Sequence, residues 1–366
     1  MRIITIGNIA AAIEEFAPTA LQESYDNAGL QVGDPHAEAK AALLCIDVTE
    51  EILDEAIARG ANMVISHHPL IFRGLKRITG RSPIERIVAK AIKHDVALYA
   101  AHTNMDSARG GVSAHAAAKL GLTDIELLAP QNGKLLKIVT FVPSAHAAAV
   151  KEAMWQAGAG HIGNYDSCSY SMQGTGTFRA QCGANPFVGK VGELHSEPEE
   201  RVEVIAPSWR KDAVVAAMLS AHPYEEPAFD VIALGNDSPW GFGVVGNISP
   251  TPAMQLLADV KRIFHVGAIS YSGSNMEQSI TRVAFCGGSA DELIGDAIGA
   301  GAQMFITGDV KYHDFTSSNH RIIIANIGHY ESEQFTKEIF FDIIRKKFPN
   351  FAAYYSEKER NQINYL

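Results

Sequence analysis

The first third of the chain contains the run Ala61-Asn62-Met63-Val64-Ile65-Ser66-His67-His68, in which two adjacent histidines follow an apolar stretch. The apolar residues over 61–65 predict a buried strand. The histidines would then lie at the carboxyl end of that strand, the edge of an open α/β sheet where ligands and catalytic groups gather. We therefore expect one segment to belong both to the sheet and to a functional site.

Strands and helices alternate around this run. In chain order the pattern predicts a helix over 7–16, a strand over 42–46, a helix over 49–59, the strand over 61–65, a helix over 82–94 and a strand over 96–101. Ser82-Pro83 is a helix start with a physical reason, because the missing N–H of proline costs nothing there. This order predicts βαβ units and a parallel sheet, and hence an α/β fold.

After residue 240 the same pattern resumes. It predicts helices over 254–264 and 291–299, strands over 282–286, 304–307 and 321–325, and a closing amphipathic helix over 335–348. Residues 44–68 align without a gap on residues 285–309, with eight identities in twenty-five positions. Equal spacing over strand, helix and strand favours a duplication, although any two βαβ units share some of this composition. We therefore expect two similar α/β lobes that form one core domain.

The segment between these halves has a different pattern. It predicts a strand over 135–142, a helix over 145–157, a polar hairpin over 165–181, a strand over 201–205, a helix over 211–220 and a strand over 228–234. This β-α-β-β-α-β order is typical of a ferredoxin-like domain. We expect core lobes at 1–132 and 236–366, interrupted by an inserted α+β domain at 133–235. Residues 222–227, with two prolines, are interpreted as a rigid loop, with ligand or metal binding as the alternative.

Composition excludes several classes of protein. The formal net charge of −10 and the pI near 5.8 argue against a nucleic-acid or anionic-membrane surface. The four cysteines form no CxxC pair, which argues against a disulfide framework or a thiolate zinc site. No apolar run is long enough for a membrane span, and acidic residues interrupt the N-terminal segment, so no signal peptide is expected. We expect a cytoplasmic protein.

Three of the predicted strands end beside residues that bind metals. They are His67 and His68 after the second strand, His102 and Asp106 after the third, and His329 and Glu333 after the strand over 321–325. Four imidazoles and two carboxylates exceed the three or four ligands of one zinc ion. They suit two ions about 3.5–4 Å apart, which carboxylates can bridge. The set fits zinc, iron, manganese or cobalt and does not choose among them.

A single histidine is more typical of a hydrogen-bonded or solvated ring than of a ligand. That interpretation is kept for His36, His94, His115, His146, His161, His195 and His320. In the segment 308–313 we predict that His313 donates a proton to a leaving group, with Asp309 orienting it or supporting a ligand; a turn and a surface ring are the alternative. Glu333 is expected in the first turn of the last helix, where the helix dipole favours a carboxylate.

Five segments resemble the NIF-three-like family, whose members are described as dinuclear-metal-centre proteins and GTP cyclohydrolase type-two homologues. They are residues 24–34, 66–72, 101–106, 307–313 and 328–333, and one departure is Tyr25, where the family often has Trp. The resemblance, over about 1–132 and 236–366, implies two α/β lobes, a toroidal homohexamer, a metal pair inside the ring and ligand roles for the same six residues. The insertion looks like the PII/CutA-type module of longer members, which suggests a lid or regulatory role.

The sequence leaves three functions open. The first is a metal-dependent hydrolase that acts on a nucleotide-like substrate, by cyclohydrolase or phosphoesterase chemistry. The second is a non-catalytic metal-binding, metal-delivery or regulatory protein, with the insertion as its effector or partner module. The third is an interaction scaffold built on a ring. No glycine-rich phosphate loop is present, so a substrate would be bound by the metals and by residues such as Lys311.

Overall fold

The computed structural model describes residues 3–273, 275–318 and 320–366 and has the expected mixed α/β architecture. The chain divides into two compact units. The first, called the core unit here, is formed by Met1–Pro130 and Trp240–Leu366, and the second, the inserted unit, by Gln131–Pro239. Within the described ranges, no helix combines the length and the apolar character needed to cross a membrane.

The first half of the core unit contains, in chain order, α1 (Ile6–Phe16), β1 (Gly29–Val32), β2 (Ala41–Cys45), α2 (Glu50–Ala58), β3 (Met63–Ser66), α3 (Pro83–Lys93), β4 (Ala97–Ala100), α4 (Thr103–Ser107), α5 (Val112–Leu120) and β5 (Thr123–Pro130). The Ser82 side chain caps α3 by accepting from the Glu85 N–H, and Pro83 is the first helical residue. The predicted start of this helix is confirmed. β5 and the two short helices α4 and α5 were not predicted.

The inserted unit contains β6 (Leu135–Pro143), α6 (Ala147–Gln156), β7 (Tyr170–Arg179), β8 (Leu194–Pro207), α7 (Lys211–Ala221) and β9 (Phe229–Ala233). The strands form an antiparallel sheet in the order β7-β8-β6-β9. The predicted hairpin over 165–181 is wrong, because this segment supplies the single strand β7, which pairs with β8. Its glycines suggested a turn, but Gly174 and Gly176 lie inside the strand.

The second half of the core unit contains β10 (Gly241–Pro252), α8 (Ala253–Ile263), β11 (Ser270–Tyr271), β12 (Ser279–Ser289), α9 (Ile294–Gly299), β13 (Met304–Gly308), α10 (Tyr312–Ser317), β14 (Ile323–Asn326), α11 (His329–Glu333), α12 (Thr336–Lys347) and β15 (Ala352–Tyr355). One-turn 3-10 helices occupy Thr19–Leu21, Ser208–Arg210 and Asp291–Leu293. β10, β11 and β15 were not predicted.

The end of the chain corrects one prediction about the site. The predicted closing helix over 335–348 is confirmed as α12, but Glu333 is the last residue of a separate short helix, α11, and not a first-turn residue of that closing helix. The positive end of a helix dipole therefore does not stabilise this carboxylate. Its stabilisation must come from other side chains.

The core unit contains two sheets with matching strand orders, β1-β4-β3-β2-β15 and β11-β14-β13-β12-β10-β5. In the first, β2, β3 and β4 are parallel and β1 is antiparallel to β4. In the second, β12, β13 and β14 are parallel and β11 is antiparallel to β14. The carboxyl ends of three adjacent parallel strands therefore lie along one edge in each sheet.

The last helix and strand of each half pack on the sheet of the other half. Phe340 of α12 lies in one buried cluster with Leu44 and Tyr99 of the first sheet, and Leu120 of α5 lies in another with Phe285 of the second. β15 extends the first sheet beside β2, and β5 extends the second beside β10. Burying a phenylalanine such as Phe340 stabilises the fold by about 1.5–3 kcal/mol. This exchange of the last helix and strand between the two halves, called the crossing here, holds the two halves of the core unit together.

Glu55 of α2 anchors the segment after β15. Its carboxylate accepts hydrogen bonds from the Ser356 hydroxyl at 2.6 Å and from the N–H groups of Glu357 at 3.0 Å and Lys358 at 3.2 Å. Burial alone would raise the pKa of Glu55, but these hydrogen bonds outweigh burial and lower the pKa below its ordinary value. The ionised form is therefore the one that the fold stabilises.

We predict that Glu55→Ala lowers the free energy of unfolding by about 1–3 kcal/mol at neutral pH, because the N–H groups lose their acceptor. A carboxyl whose pKa is depressed in the folded state stabilises the protein above its unfolded-state pKa, and this stability is lost as the pH falls through the folded-state pKa. The difference from wild type should therefore shrink on acidification, as measured by urea unfolding across pH.

The matched control is Glu51→Ala, because Glu51 lies on α2 like Glu55 but forms only an exposed ion pair, with Arg360 of the C-terminal segment. Such pairs contribute about 1 kcal/mol or less. A Glu55→Ala effect that equals the control, or that does not change with pH, would contradict the anchoring role.

Candidate metal centre

The six residues predicted as metal ligands come together in the core unit. They form three overlapping groups in which one potential ligand atom per residue lies within 4.8 Å of the others: His67 with His68 and His102, His68 with His329 and Glu333, and His67 with Asp106 and Glu333. A cluster of this composition can bind metal ions. Its residues come from both halves of the core unit.

Strand ends position these side chains, as the sequence predicted. His67 and His68 directly follow β3, and His102 lies between β4 and α4, which carries Asp106. His329 and Glu333 stand four residues apart on α11, which follows β14. That spacing places both side chains on one face of a helix.

His67 shows most clearly that a cation fits. Its ring is fully buried, and its Nδ1 lies 2.9 Å from the carbonyl oxygen of Ala101, to which it donates. Its Nε2 then faces Asp106 Oδ1 at 3.7 Å and Glu333 Oε1 at 3.6 Å, beyond hydrogen-bond distance. Nε2 of His67 and Oδ1 of Asp106 are buried without a hydrogen-bond partner among the described residues. His67 Nε2, Asp106 Oδ1 and Glu333 Oε1 are thus three acceptor atoms that face one another, an arrangement that fits a metal ion.

A carboxylate lies behind each of the other three imidazoles. The pairs are Asp47 Oδ1 with His68 Nδ1 at 2.9 Å, Asp26 Oδ1 with His102 Nδ1 at 2.8 Å, and Asp309 Oδ2 with His329 Nδ1 at 2.7 Å. Such contacts fix the ring orientation and tautomer of metal-binding histidines and leave Nε2 for the ion. All four rings of the cluster therefore have an acceptor at Nδ1.

Sequence reasoning missed two of these carboxylates. Asp47 follows β2, so it stands at the same sheet edge as His67 and His68, and this position was a usable signal. Asp26 lies in the 24–34 segment, which was interpreted as a loop, and no local pattern reveals that its carboxylate also accepts from the Thr103 N–H at 3.0 Å. Asp309 was predicted to orient His313 or support a ligand, and the structure brings it to His329.

Glu333 occupies the centre of the cluster. Its side chain is buried, and its Oε2 lies 3.0 Å from His68 Nε2 and 3.2 Å from His329 Nε2, whereas Oε1 faces His67. A Cβ atom at Gly288 would lie 2.4 Å from Glu333 Oε1, and Gly288 has φ +67°, so both space and backbone require glycine. The fold leaves room for this carboxylate between histidines on two sides.

Burial and the neighbouring charges shift the pKa values of several groups in the cluster. Burial alone would lower the pKa of His68, but Asp47 and Glu333 outweigh it and raise the pKa to about 10. Burial raises the pKa of Asp106 to about 7 even though His67 opposes that shift. Burial would also raise the pKa of Glu333, but the charge of His67 and the hydrogen bonds from the histidines hold it well below its ordinary value. An ion would replace protons as the positive charge in this site.

His313 stands in the first turn of α10 and is exposed, with its ring centroid 5.4 Å from that of Tyr312. Among the described residues, no hydrogen bond or ion pair joins its side chain to the six-residue cluster. Its role as a proton donor stays a prediction. Lys311 is exposed as well, and its ammonium lies 3.8 Å from Asp291.

Two aromatic side chains flank the cluster on its outer side. Tyr25 is 63% exposed and Phe72 is 41% exposed, and their ring centroids are 6.3 Å apart. The Phe72 ring also lies 6.3 Å from that of His102. Gln31 fixes the loop that carries Phe72, because its amide accepts from the Ile71 N–H at 3.0 Å. The cluster thus has two exposed aromatic rings beside it, tilted by 50° to each other.

Comparisons with known proteins agree with this architecture. The sequence model of the family described as Duf34/NIF3 (NGG1p interacting factor 3) matches residues 4–362. A GTP cyclohydrolase 1 type 2 homolog from Halalkalibacterium halodurans is 42% identical over 316 residues, 86% of this chain and 85% of that protein. One from Bacillus subtilis is 35% identical and covers 98% of both chains.

Solved structures give the same result. The crystal structure of a Bacillus cereus protein related to NIF3 covers 100% of both chains, with 36% identity and a TM-score of 0.86. The Staphylococcus aureus protein SA1388 also covers 100% of both chains, with 27% identity and a TM-score of 0.80. The similarity therefore extends over the inserted unit as well as the core unit.

We predict that replacing Asp26, Asp47 or Asp309 by Ala, one at a time, weakens zinc binding about 10–100-fold, because the ring behind each carboxylate loses its fixed orientation. The measurement is competition between metal-stripped protein and a chromophoric chelator. Asp34→Ala, at an exposed aspartate on the other side of β1 from Asp26, is the matched control and should bind as wild type does. Unchanged affinity in all three variants would contradict the orienting role.

Proposed function

Because the chain belongs to the Duf34/NIF3 family, we propose that it binds two divalent metal ions and acts as a metal-dependent hydrolase on a nucleotide-like substrate. The family relatives named GTP cyclohydrolase 1 type 2 homolog suggest this class of substrate by their names. The observation that supports it best is the six-residue cluster, which offers more ligand atoms than one tetrahedral ion uses.

The overlap of the three groups supports a pair of ions. His67, Asp106 and Glu333 Oε1 would hold one ion, and His68, His329 and Glu333 Oε2 the other, with His102 completing the set. Glu333 can serve both because its two oxygens face different histidines. Zinc, iron, manganese and cobalt all suit these ligands.

A pair of divalent ions supplies a water that is nucleophilic at neutral pH and polarises the bond under attack. The side chains of this protein would hold the ions and fix the imidazoles through Asp26, Asp47 and Asp309. We retain His313 as the proposed proton donor, since it follows β13, the strand that also positions Asp309. Cyclohydrolase and phosphoesterase chemistry would use the same arrangement.

The exposed aromatic pair favours a substrate with a flat ring. Bases stack on aromatic side chains with about 1–3 kcal/mol per base, and this stacking tolerates different bases. Tyr25 and Phe72 would offer such a surface next to His102. Tyr25 keeps an aromatic ring at the position where the family often has Trp.

One observation favours the alternative of a non-catalytic metal-delivery or regulatory protein. The side chains of His68 and His329 are 21% and 32% exposed, so ions held by them would be accessible to an acceptor. This function predicts that bound metal transfers readily to a chelator while no substrate turns over. A hydrolase predicts turnover by protein that retains its metal.

Two further features remain proposals. We propose that the inserted unit is a ferredoxin-like module, which is supported by its β-α-β-β-α-β order and its sheet order. We also propose a homohexameric ring, which rests on the family resemblance. Light scattering on the purified chain tests it, and a stable monomer would exclude the ring.

We predict that the metal-loaded protein hydrolyses GTP and that the double variant His67→Ala/Glu333→Ala reduces turnover by at least about 100-fold. Loss of one residue that only supports a metal ligand reduces activity by up to about 100-fold, so loss of two ligands should cost at least as much. Metal per chain, measured by plasma mass spectrometry, should fall from two ions in the same variant. His94→Ala/Glu152→Ala, at two exposed positions, removes the same side-chain types and should change neither quantity. Turnover that survives in the first variant would exclude this site as the catalytic one.

A further inference from the structure

The inserted unit contains a cavity of about 870 Å³. All of its lining residues belong to residues 131–239, so it is separate from the metal cluster. Its walls include Phe141, Met172, Phe178, Phe187 and Tyr224. The remaining lining residues are mostly glycines and polar or charged side chains. A volume of this size that combines aromatic rings with polar groups is typical of a small-molecule site.

The cavity lies on the face of the sheet that the helices leave uncovered. On β8, Val202, Val204 and Ala206 pack in a buried cluster with residues of α6 and α7. The alternate residues Glu199 and Arg201 point to the opposite face and line the cavity. Alternation along a strand therefore separates the core of this unit from its cavity.

Glu199 is the polar centre of this cavity. It is only 8% exposed, and its Oε1 accepts a hydrogen bond from the Tyr224 hydroxyl at 2.8 Å. Within the described part of the chain, its Oε2 accepts no hydrogen bond. This oxygen is therefore available to accept a hydrogen bond from a ligand in the cavity.

The neighbouring strand is shaped for this carboxylate. A Cβ atom at Gly176 would lie 2.1 Å from Glu199 Oε2, whereas the backbone of Gly176 does not adopt a positive φ. A side chain at this position would therefore displace the Glu199 carboxylate, so the absence of a Cβ leaves this carboxylate its place. At Gly174, which also lines the cavity, a Cβ atom would meet nothing within 4 Å.

The loop over 222–227 fixes the Tyr224 ring. The His222 ring contacts the carbonyl oxygen of Phe141 at 3.0 Å through Nε2 and accepts from the Tyr224 N–H at 3.1 Å through Nδ1. Burial lowers the pKa of His222, which favours the neutral ring that these two bonds need. The loop was interpreted as rigid, with ligand or metal binding as the alternative; these two hydrogen bonds support the rigid loop, and ligand binding stays a prediction.

The charge of the cavity is negative. Glu199, Glu225 and Glu226 line it, and the only cationic side chain among its lining residues is Arg201. The Arg201 guanidinium already donates to Glu203 at 2.8 Å. Aromatic rings also attract cations through their negative faces. Both the glutamates and the aromatic rings of the cavity therefore favour a positively charged ligand.

We propose that this cavity binds a flat aromatic small molecule that carries a protonated nitrogen. The rings of the ligand pack among Phe178, Phe187 and Tyr224, and its N–H group donates to Glu199 Oε2. The inserted unit would then be a ligand-sensing module. This site does not depend on the function of the metal cluster, so each can be tested without the other.

The test uses the full-length chain and 9-aminoacridine, a fluorescent cation at neutral pH, with the neutral analogue acridine as its matched ligand. We expect one 9-aminoacridine per chain by fluorescence titration and about tenfold weaker binding of acridine. Glu199→Gln should weaken 9-aminoacridine binding about tenfold, the effect of losing a charge-assisted hydrogen bond. Glu152→Gln, which makes the same charge change on the exposed side of α6, should have no effect.

Gly174→Val is a second variant that fills the cavity without a clash at Cβ, and it should abolish binding while leaving the melting temperature of the protein unchanged. Equal affinities of the Glu199→Gln and Glu152→Gln variants would overturn the proposal. So would binding that survives in Gly174→Val. Failure of the wild-type chain to bind either ligand, as expected if a second copy of the chain covers this face, would overturn it as well.

Discussion

The buried carboxylate of Glu333 is the constraint on which the core unit depends. A buried carboxylate costs several kcal/mol unless positive charge or hydrogen bonds compensate for it. Among the described residues, no lysine or arginine forms an ion pair with Glu333 or Asp106, and the compensation comes from imidazoles at 3.0 to 3.7 Å. The imidazoles are held in turn by a backbone carbonyl and three aspartates. The imidazole nitrogens and carboxylate oxygens of the cluster are therefore acceptor atoms for a positive charge. The side chains of the protein supply only part of that charge.

The crossing of the two halves explains how the cluster can form. α11 leads directly into α12, which packs on the sheet of the first half, so Glu333 lies where the chain passes from one sheet to the other. The Thr336 hydroxyl at the start of α12 donates to the Glu333 carbonyl at 2.7 Å and fixes this passage. α4 and α5 make the opposite passage, and Asp106 lies there. Packing of apolar helix faces thus brings together polar groups that are distant in sequence.

Much of this was predictable because the decisive signals are local. Apolar strands that end in histidines and acids predicted all six clustered residues, since parallel strands place their carboxyl ends at one edge. The contacts that sequence reasoning missed depend on tertiary packing. Asp26 reaches His102 across seventy-six positions of sequence, and β5 and β15 are strands only because they pair with the other half. The glycines of β7 suggested a turn because the close approach of the Glu199 carboxylate to Gly176 has no local signature.

The central claim is that two ions share Glu333, and anomalous diffraction from crystals of the zinc-loaded protein at the zinc edge tests it most directly. We expect two peaks per chain about 3.5–4 Å apart, one beside His67 and Asp106 and the other beside His68 and His329, with Glu333 between them. A single peak, or peaks away from these residues, would contradict the account.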